Sequence, residues 1–525
     1  MTTSSTKLDR PMFTTTLLVI LAVTIPIIMF SDSAGPYITD LYNTITSHLG
    51  WIYQWYAVFA LGFLLWLAFS KYGKITLSSD DQPAEFKTLT WITMIFCAGV
   101  GAGLLYWAVI EWSYYLKTPP LGIEAGTSKA KEWATTFPLF HWGISAWAIY
   151  CLPAVAIAYP FYVRKVPFLR LSTSCNHFYS PKQAAESGGK LGRFIDLFYM
   201  LSLIGGAGTS LGLSTPMIAA SIAELFNTSH TLILELSVVF FCVAIFGASA
   251  FLGLEKGFKK LSEFNLIITF ALLFFILAAG PTLFILKAGT NSIGLVLQNF
   301  FQMSLWTDPI NNTGFVESWT VFYWAWWVAY GPFVGLFVTR ISRGRTIKQL
   351  ILGMLCFGSL GAWMFFIVFG NYAMNLEISQ LLNIAEIIKQ SGEATAITQI
   401  IMTLPFGKFP VLMFAIIAIV FLATTYDSAS YTLASVTTRN LKEGDHPERW
   451  NRLFWAIALA IVPVALMYVD GGLKVILSTT IIVSLPLIII GGFMSYSLTQ
   501  MLKNDHASRV SVSHKQSDQI KHISE

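Results

Sequence analysis

Seven aromatic side chains precede a Gly-Pro pair in the stretch WTVFYWAWWVAYGPF, residues 319–333, and an eighth follows it. The rings lie inside an apolar run, 315–338, long enough to cross a hydrocarbon layer of about 30 Å as a helix. Trp319, Tyr323, Trp326, Tyr330 and Phe333 recur at steps of three and four, so a helix sets them on one face. Membrane aromatics also gather in interface belts and fill helix packing, but belts sit at the ends of a span and this cluster occupies its middle. A wall of π clouds suits a cation that accepts no hydrogen bond, and a quaternary ammonium is such a cation. The Gly331-Pro332 pair is expected to break the helix beside that wall.

Other stretches offer partners for an ion. AGVGAG, 98–103, has three alternating glycines, Gly99, Gly101 and Gly103, that weaken a helix and admit close backbone approach; they serve either helix packing or a binding break. Backbone freed at a break can turn N–H groups to an anion and carbonyls to a small cation. FLATTYDSAS, 421–430, places Thr424, Thr425, Ser428 and the carboxylate of Asp427 in an otherwise apolar helix. Hydroxyls there often bond their own backbone, whereas a carboxylate inside a membrane is a functional candidate by default. GGAGTSLG, 205–212, adds Thr209 and Ser210 as ligands for a second ion. FHWGISAWAIY, 140–150, carries Trp142, Trp147 and Tyr150, which together with Tyr114 either pack or complete the far side of a cage. Glu111 and His141 read as structural hydrogen-bonding groups.

The elements that must position these groups are membrane helices. Of 525 residues, 55% are hydrophobic and 12% charged, with a mean hydropathy of +0.63, too little charge for a soluble domain of this length. Five scattered cysteines suggest neither a disulfide framework nor a metal cage. The N-terminal residues lead into an apolar run without a small-residue cleavage site, so no cleaved signal peptide is expected. Apolar spans fall at 13–30, 52–70, 91–116, 138–163, 194–225, 231–254, 264–286, 315–338, 350–372, 410–437, 453–469 and 475–502, about twelve transmembrane helices in an all-α integral membrane protein. Loops after the even-numbered spans hold 20 Lys and Arg residues against seven on the other side, which places both termini in the cytoplasm. Loop 164–193 is basic and polar, able to lie on the lipid surface or simply to set topology. Residues 289–306 form an amphipathic interfacial helix along the outer surface, and the tail 503–525 is expected to be disordered.

The interrupted spans at 98–103 and 331–332 are five apart in order, and an odd offset relates two units of opposite orientation. That is the pattern of an inverted-repeat carrier with its site at the broken helices. The chain then divides into two peripheral helices (1–90), a first repeat (91–287), the interfacial segment (288–314), a second repeat (315–502) and a short tail (503–525).

FYWAWW followed by RISRGRT at 340–346 resembles the signature of the betaine/choline/carnitine transporter family, and FHW, GTSLGL and the glycine triplet fall in matching order. The resemblance spans the membrane region and implies a LeuT-like fold with two inverted five-helix repeats, usually as a homotrimer in the bacterial inner membrane. IEWSYYLKTPP at 110–120, TDP at 307–309 and WWVAY at 326–330 look most like the carnitine/γ-butyrobetaine exchangers. By that resemblance Trp326, Trp327 and Tyr330 line the central site and Trp319 marks an outer, transient one. The exchangers lack the glycine triplet and the DSAS run and place an arginine where Asn265 stands here; on these counts the chain resembles the sodium-coupled members, with Phe333 matching their pattern as well. The resemblance implies carbonyls of Cys97, Val100 and Phe421 with the hydroxyls of Thr424 and Thr425 as one sodium site, and Thr209, Ser210 and Phe333 near a second. Choline carriers of the family have an aspartate where this chain has Gly103, which favours glycine betaine or carnitine as substrate. A sodium-independent exchanger, a carrier of choline or a sulfonium analogue, and a non-transporting sensor or channel are the other readings. No phosphate loop, metal cluster or nucleophile–base pair points to an enzyme, and nothing points to nucleic acid.

Overall fold

The computed structural model describes residues 7–524 except 79–82, 99–100, 187, 253–254, 440, 442–445 and 468–471. The chain is all-α, built from α1 (Arg10–Met29), α2 (Ser31–Phe69), α3 (Thr88–Ala98), α4 (Ala102–Lys117), α5 (Ser128–His141), α6 (Ile144–Ala158), α7 (Gly189–Phe226), α8 (Leu232–Leu252), α9 (Glu255–Ala279) and α10 (Thr282–Leu305). It continues with α11 (Phe322–Ile341), the composite α12 (Ile347–Ile378), α13 (Ile384–Met402), α14 (Lys408–Val436), α15 (Arg449–Met467) and α16 (Gly472–Ser524). Among the described residues ten helices are long and apolar enough to cross a membrane, eleven if α3 and α4, set 63° apart, count as one span. The expected span 453–469 corresponds to α15, which begins with Arg449, Asn451 and Arg452 and does not reach that standard.

Burial sorts these helices into a centre and a periphery. The apolar windows of α5–α6 and of the α11 span are 89% and 83% buried, against 33% for α1, 33% for α8 and 28% for α9. The central pair, α6 and α11, lies unusually close because glycines remove side chains from the contact. A Cβ on Gly335 would sit 2.9 Å from the Ala154 nitrogen, and one on Gly331 3.4 Å from the Ile149 carbonyl oxygen. Gly335→Val is expected to push the two helices apart and to cost about 1–3 kcal/mol of stability, read as a lower melting temperature of the purified protein.

Several expectations are corrected. Gly331-Pro332 does not break its helix: α11 runs through Pro332, whose fixed φ is compatible with the helix and whose missing hydrogen bond lies in a packed interior. The distortion lies earlier, in a π-helical turn at Val316–Val321. The expected fourth span is instead interrupted at Trp142-Gly143, between α5 and α6. The expected seventh span ends at Ala279, since Gly280-Pro281 stops it, and the segment 289–306 belongs to α10, which starts at Thr282 and bends at Asn299. The loop before the tenth expected span holds α13, kinked at Gly392 with φ of 80°.

The tail does not start as coil. α16 continues past Leu502 to Ser524, and Asp505 anchors it by accepting from Arg164 Nε at 2.9 Å and from the Tyr159 hydroxyl at 2.7 Å. Nor does loop 164–193 lie flat on a surface. Its 3-10 turn, Leu171–Phe178, buries Leu171, Ser172, Thr173, Ser174 and Cys175, and Arg170 beside it donates to the Thr438 carbonyl.

Candidate functional site

The α5–α6 break fixes the aromatic site. Gly143 is required there, since a Cβ would lie 2.4 Å from the Leu139 carbonyl oxygen and 2.7 Å from Trp363 Nε1. Two carbonyls freed by the break are taken by indole N–H groups: Trp363 Nε1 donates to Leu139 O at 2.6 Å and Trp327 Nε1 to His141 O at 2.9 Å. A buried carbonyl left bare costs about 1–3 kcal/mol, so these bonds hold both rings in place. Trp142, at the break itself, donates Nε1 to Glu111 Oε2 at 3.0 Å.

The rings so fixed form a box. Trp326 and Trp327 stack with centroids 5.0 Å apart and planes 12° from parallel. Trp142 meets them edge-on at 5.9 and 4.6 Å, and Tyr150 meets Trp327 edge-on at 5.6 Å. These four, with Tyr330, Phe333, Ser210, Gly101, Gly103 and Thr425, line one cavity of about 90 Å³. One water needs about 10–15 Å³ on this scale, so the space has room for several waters or for the head group of a small solute. The Tyr330 hydroxyl is buried in the cavity wall, near Ser210.

One wall of the cavity is the junction of α3 and α4. Ala98, Gly101, Ala102 and Gly103 lie on it, facing Leu422 and Thr425 of α14. A Cβ on Gly103 would lie 3.0 Å from Trp326 Cη2 and 4.0 Å from Ser210 Oγ. Gly103→Ala therefore crowds the indole by a few tenths of an ångström, and is expected to weaken ligand binding several-fold without unfolding the protein, as read by titration of the purified variant.

Other expected site residues stand elsewhere. Gly99 and Val100 lie outside the described residues. Trp147 packs behind Tyr150 at 5.7 Å and over Gly358, where a Cβ would lie 2.1 Å from its ring, so it supports the box without lining it. Tyr114 and Trp319 cluster with Trp107 and Tyr115 outside the cavity lining, joined to the box through Tyr323: Trp319 lies 5.0 Å from Tyr114, 5.0 Å from Tyr115, 5.5 Å from Trp107 and 6.4 Å from Tyr323. The Tyr114 hydroxyl donates to Glu393 of α13 at 2.6 Å. Cys97 is half-buried at the end of α3 and Phe421 is buried in α14. The Thr424 hydroxyl bonds back to the Val420 and Phe421 carbonyls at 2.8 and 3.2 Å, while Thr425 faces the cavity. Thr209 and Ser210 diverge, since Thr209 meets Thr480 of α16 at 2.7 Å and Ser210 joins Phe333 in the cavity wall. Asp427 lies farther along α14, 3.9 Å from Arg452. The Tyr431 ring takes the Arg452 and Arg340 guanidiniums at 5.0 and 5.5 Å.

The structure is thus a helical membrane protein that buries a box of aromatic rings beside a divided helix. The chain belongs to the BCCT, betaine/carnitine/choline family of transporters, whose family model matches residues 11–507. It is 37% identical over 453 residues to the uncharacterized transporter YeaV of Escherichia coli (strain K12), covering 85% of this chain and 92% of that one. It is 36% identical over 452 residues to a carnitine transporter of Acinetobacter baumannii, covering 86% of this chain and 81% of that one.

Proposed function

We propose that this transporter is a sodium-coupled symporter that imports glycine betaine or carnitine by alternating access, through a bacterial cytoplasmic membrane, with both termini in the cytoplasm and as a homotrimer. The observation that carries the reading is the box of Trp142, Tyr150, Trp326, Trp327 and Tyr330 around one small cavity. A trimethylammonium group fills such a box without needing an acceptor, and each desolvated cation–π contact contributes about 2 kcal/mol. Two or three of them contribute about 4–6 kcal/mol, so micromolar binding, about 8 kcal/mol net of ordering costs, also draws on burial of the methyl groups and on contacts to the carboxylate. The α4 end of the α3–α4 junction, at Gly101 and Gly103, presents a helix N-terminus toward the same cavity, which suits the carboxylate end of a zwitterion.

The residues toward α14 fit a hard cation. Thr425 faces the cavity opposite Ala98, and Asn265 of α9 is buried with its Nδ2 on the Ile417 carbonyl at 3.3 Å and its Oδ1 without a partner. That side therefore offers neutral oxygens in place of a fixed cationic side chain. Cys97, Phe421, Thr424 and Thr425 would hold sodium, with Val100; Ser210 and Phe333 stand near a second position. A bound sodium supplies positive charge that ties the α3–α4 junction to α14. The helices it joins then favour one conformation, and a substrate that prefers the same conformation binds more tightly in consequence.

The test is titration of purified protein with glycine betaine and with carnitine, read by tryptophan fluorescence, in sodium and in potassium. Micromolar binding that weakens about tenfold or more in potassium supports the reading. Equal affinity in the two salts would assign the protein to the exchangers.

A further inference from the structure

A buried carboxylate stands directly behind the aromatic box. Glu111 of α4 is fully buried. Its Oε1 accepts from the Tyr115 hydroxyl at 2.5 Å, and its Oε2 accepts from Trp142 Nε1 at 3.0 Å and from the Tyr323 hydroxyl at 2.5 Å. Three donors converge on two oxygens, the complement that a carboxylate anion asks for. The basic side chain within 4 Å of it among the described residues is His141, with Nδ1 3.6 Å from Oε1. Because the Tyr115 hydroxyl gives its proton to Glu111, that imidazole donates Nδ1–H to the Tyr115 oxygen at 2.9 Å and can accept from the Thr320 hydroxyl at Nε2 at 3.0 Å, a set of bonds that the neutral ring satisfies.

Two of the donors are parts of the box or of its backing. Trp142 lines the cavity, and Tyr323 stacks on Trp327 at 5.6 Å and on Trp326 at 6.3 Å, both at 21°. An indole whose N–H is held by a carboxylate carries more negative charge on its π face, and charge one ring away is felt strongly where no water screens it. A carboxylate buried in a membrane without a cationic partner is costly. A quaternary ammonium in the box brings a positive charge to the cavity side of the ring whose N–H edge the carboxylate holds.

We propose that Glu111 is the counter-charge of the bound ammonium, acting through the Trp142 indole, and so makes the site select a cation over a neutral group of the same shape. It is a positioning and specificity residue, since the indole and not the carboxylate faces the cavity. The inference rests on the quaternary-ammonium reading of the box. A purely structural Glu111 would only hold rings in place, and its loss would weaken every ligand alike.

The discriminating pair is glycine betaine and tert-butylacetate, in which a carbon replaces the ammonium nitrogen and the shape is kept. Both are titrated against wild type, Glu111→Gln and Glu111→Asp by tryptophan fluorescence. Glu111→Gln is expected to weaken glycine betaine about tenfold and to leave tert-butylacetate unchanged, so the ratio of the two affinities falls about tenfold. Glu111→Asp keeps the charge and restores the ratio. Where Glu111→Gln does not yield folded protein, Glu111→Met, close in volume and uncharged, carries the same comparison. An unchanged ratio, or equal weakening of both ligands, overturns the counter-charge. Wild type that binds neither glycine betaine nor carnitine, titrated alongside, overturns the reading of the box itself, and this inference with it.

Discussion

Trp326→Leu is expected to remove measurable binding of glycine betaine and carnitine while the protein remains folded. The indole supplies one face of the box and stacks on Trp327 with centroids 5.0 Å apart. Its removal forfeits a desolvated cation–π contact of about 2 kcal/mol and one of the two rings stacked on Trp327, Tyr323 remaining as the other, about 0.5–1.5 kcal/mol more. Together these weaken binding by about 100-fold, which moves a micromolar ligand to about 0.1 mM or weaker, outside a titration or uptake assay run at micromolar ligand. Leucine leaves a smaller side chain beside Gly103, where the indole edge now lies 3.0 Å from the position a Cβ would take, so nothing is overpacked. A monodisperse variant with wild-type affinity would contradict the assignment of the box.

The second large effect falls on the ion. Thr424→Ala combined with Thr425→Ala is expected to raise the sodium concentration for half-maximal uptake about tenfold or more, with substrate affinity in saturating sodium little changed. Thr425 lines the cavity, whereas the Thr424 hydroxyl bonds its own helix and can offer only a remaining lone pair. The single variants should therefore divide unequally, with Thr425→Ala carrying the larger share. An unchanged sodium requirement in the double variant moves the ion elsewhere.

The sequence made the helices legible because lipid leaves few alternatives: a backbone that cannot bond to water must bond to itself. Apolar length and the period of the aromatics placed the 315–338 span, but of the five rings expected on one face Trp326, Tyr330 and Phe333 line the cavity and Trp319 and Tyr323 do not. Breaks were harder to read. Gly-Pro at 331–332 looked like an interruption, yet proline's φ suits a helix and close packing against α6 absorbs its cost. The real interruption at Trp142-Gly143 had only a lone glycine as its signal, because what stabilises it is distant, the indoles of Trp327 and Trp363.

The same limit applies to the cage. Trp147 and Tyr114 carry the right chemistry at plausible places in the chain, but rotation about a helix decides which ring reaches a cavity, and neither lines it. Glu111 and His141, read from sequence as hydrogen-bonding groups, are the hub on which Trp142, Tyr323 and Trp327 converge. Their partners lie on four segments, and spacing along the chain reveals nothing of that meeting. For α13 a signal did exist, since Ile384, Ile387, Ile388, Ile397, Ile400 and Ile401 recur at helical steps, with Gly392 concealing it in the middle.

The most direct measurement of the central claim is uptake of labelled glycine betaine and carnitine into proteoliposomes of the purified protein. Three conditions are compared: an inward sodium gradient, potassium in its place, and unlabelled substrate preloaded inside without sodium. Accumulation above equilibrium that needs the sodium gradient and no internal substrate is the expected result. Uptake indifferent to sodium and driven by internal substrate would contradict the account and leave an exchanger with the same aromatic box.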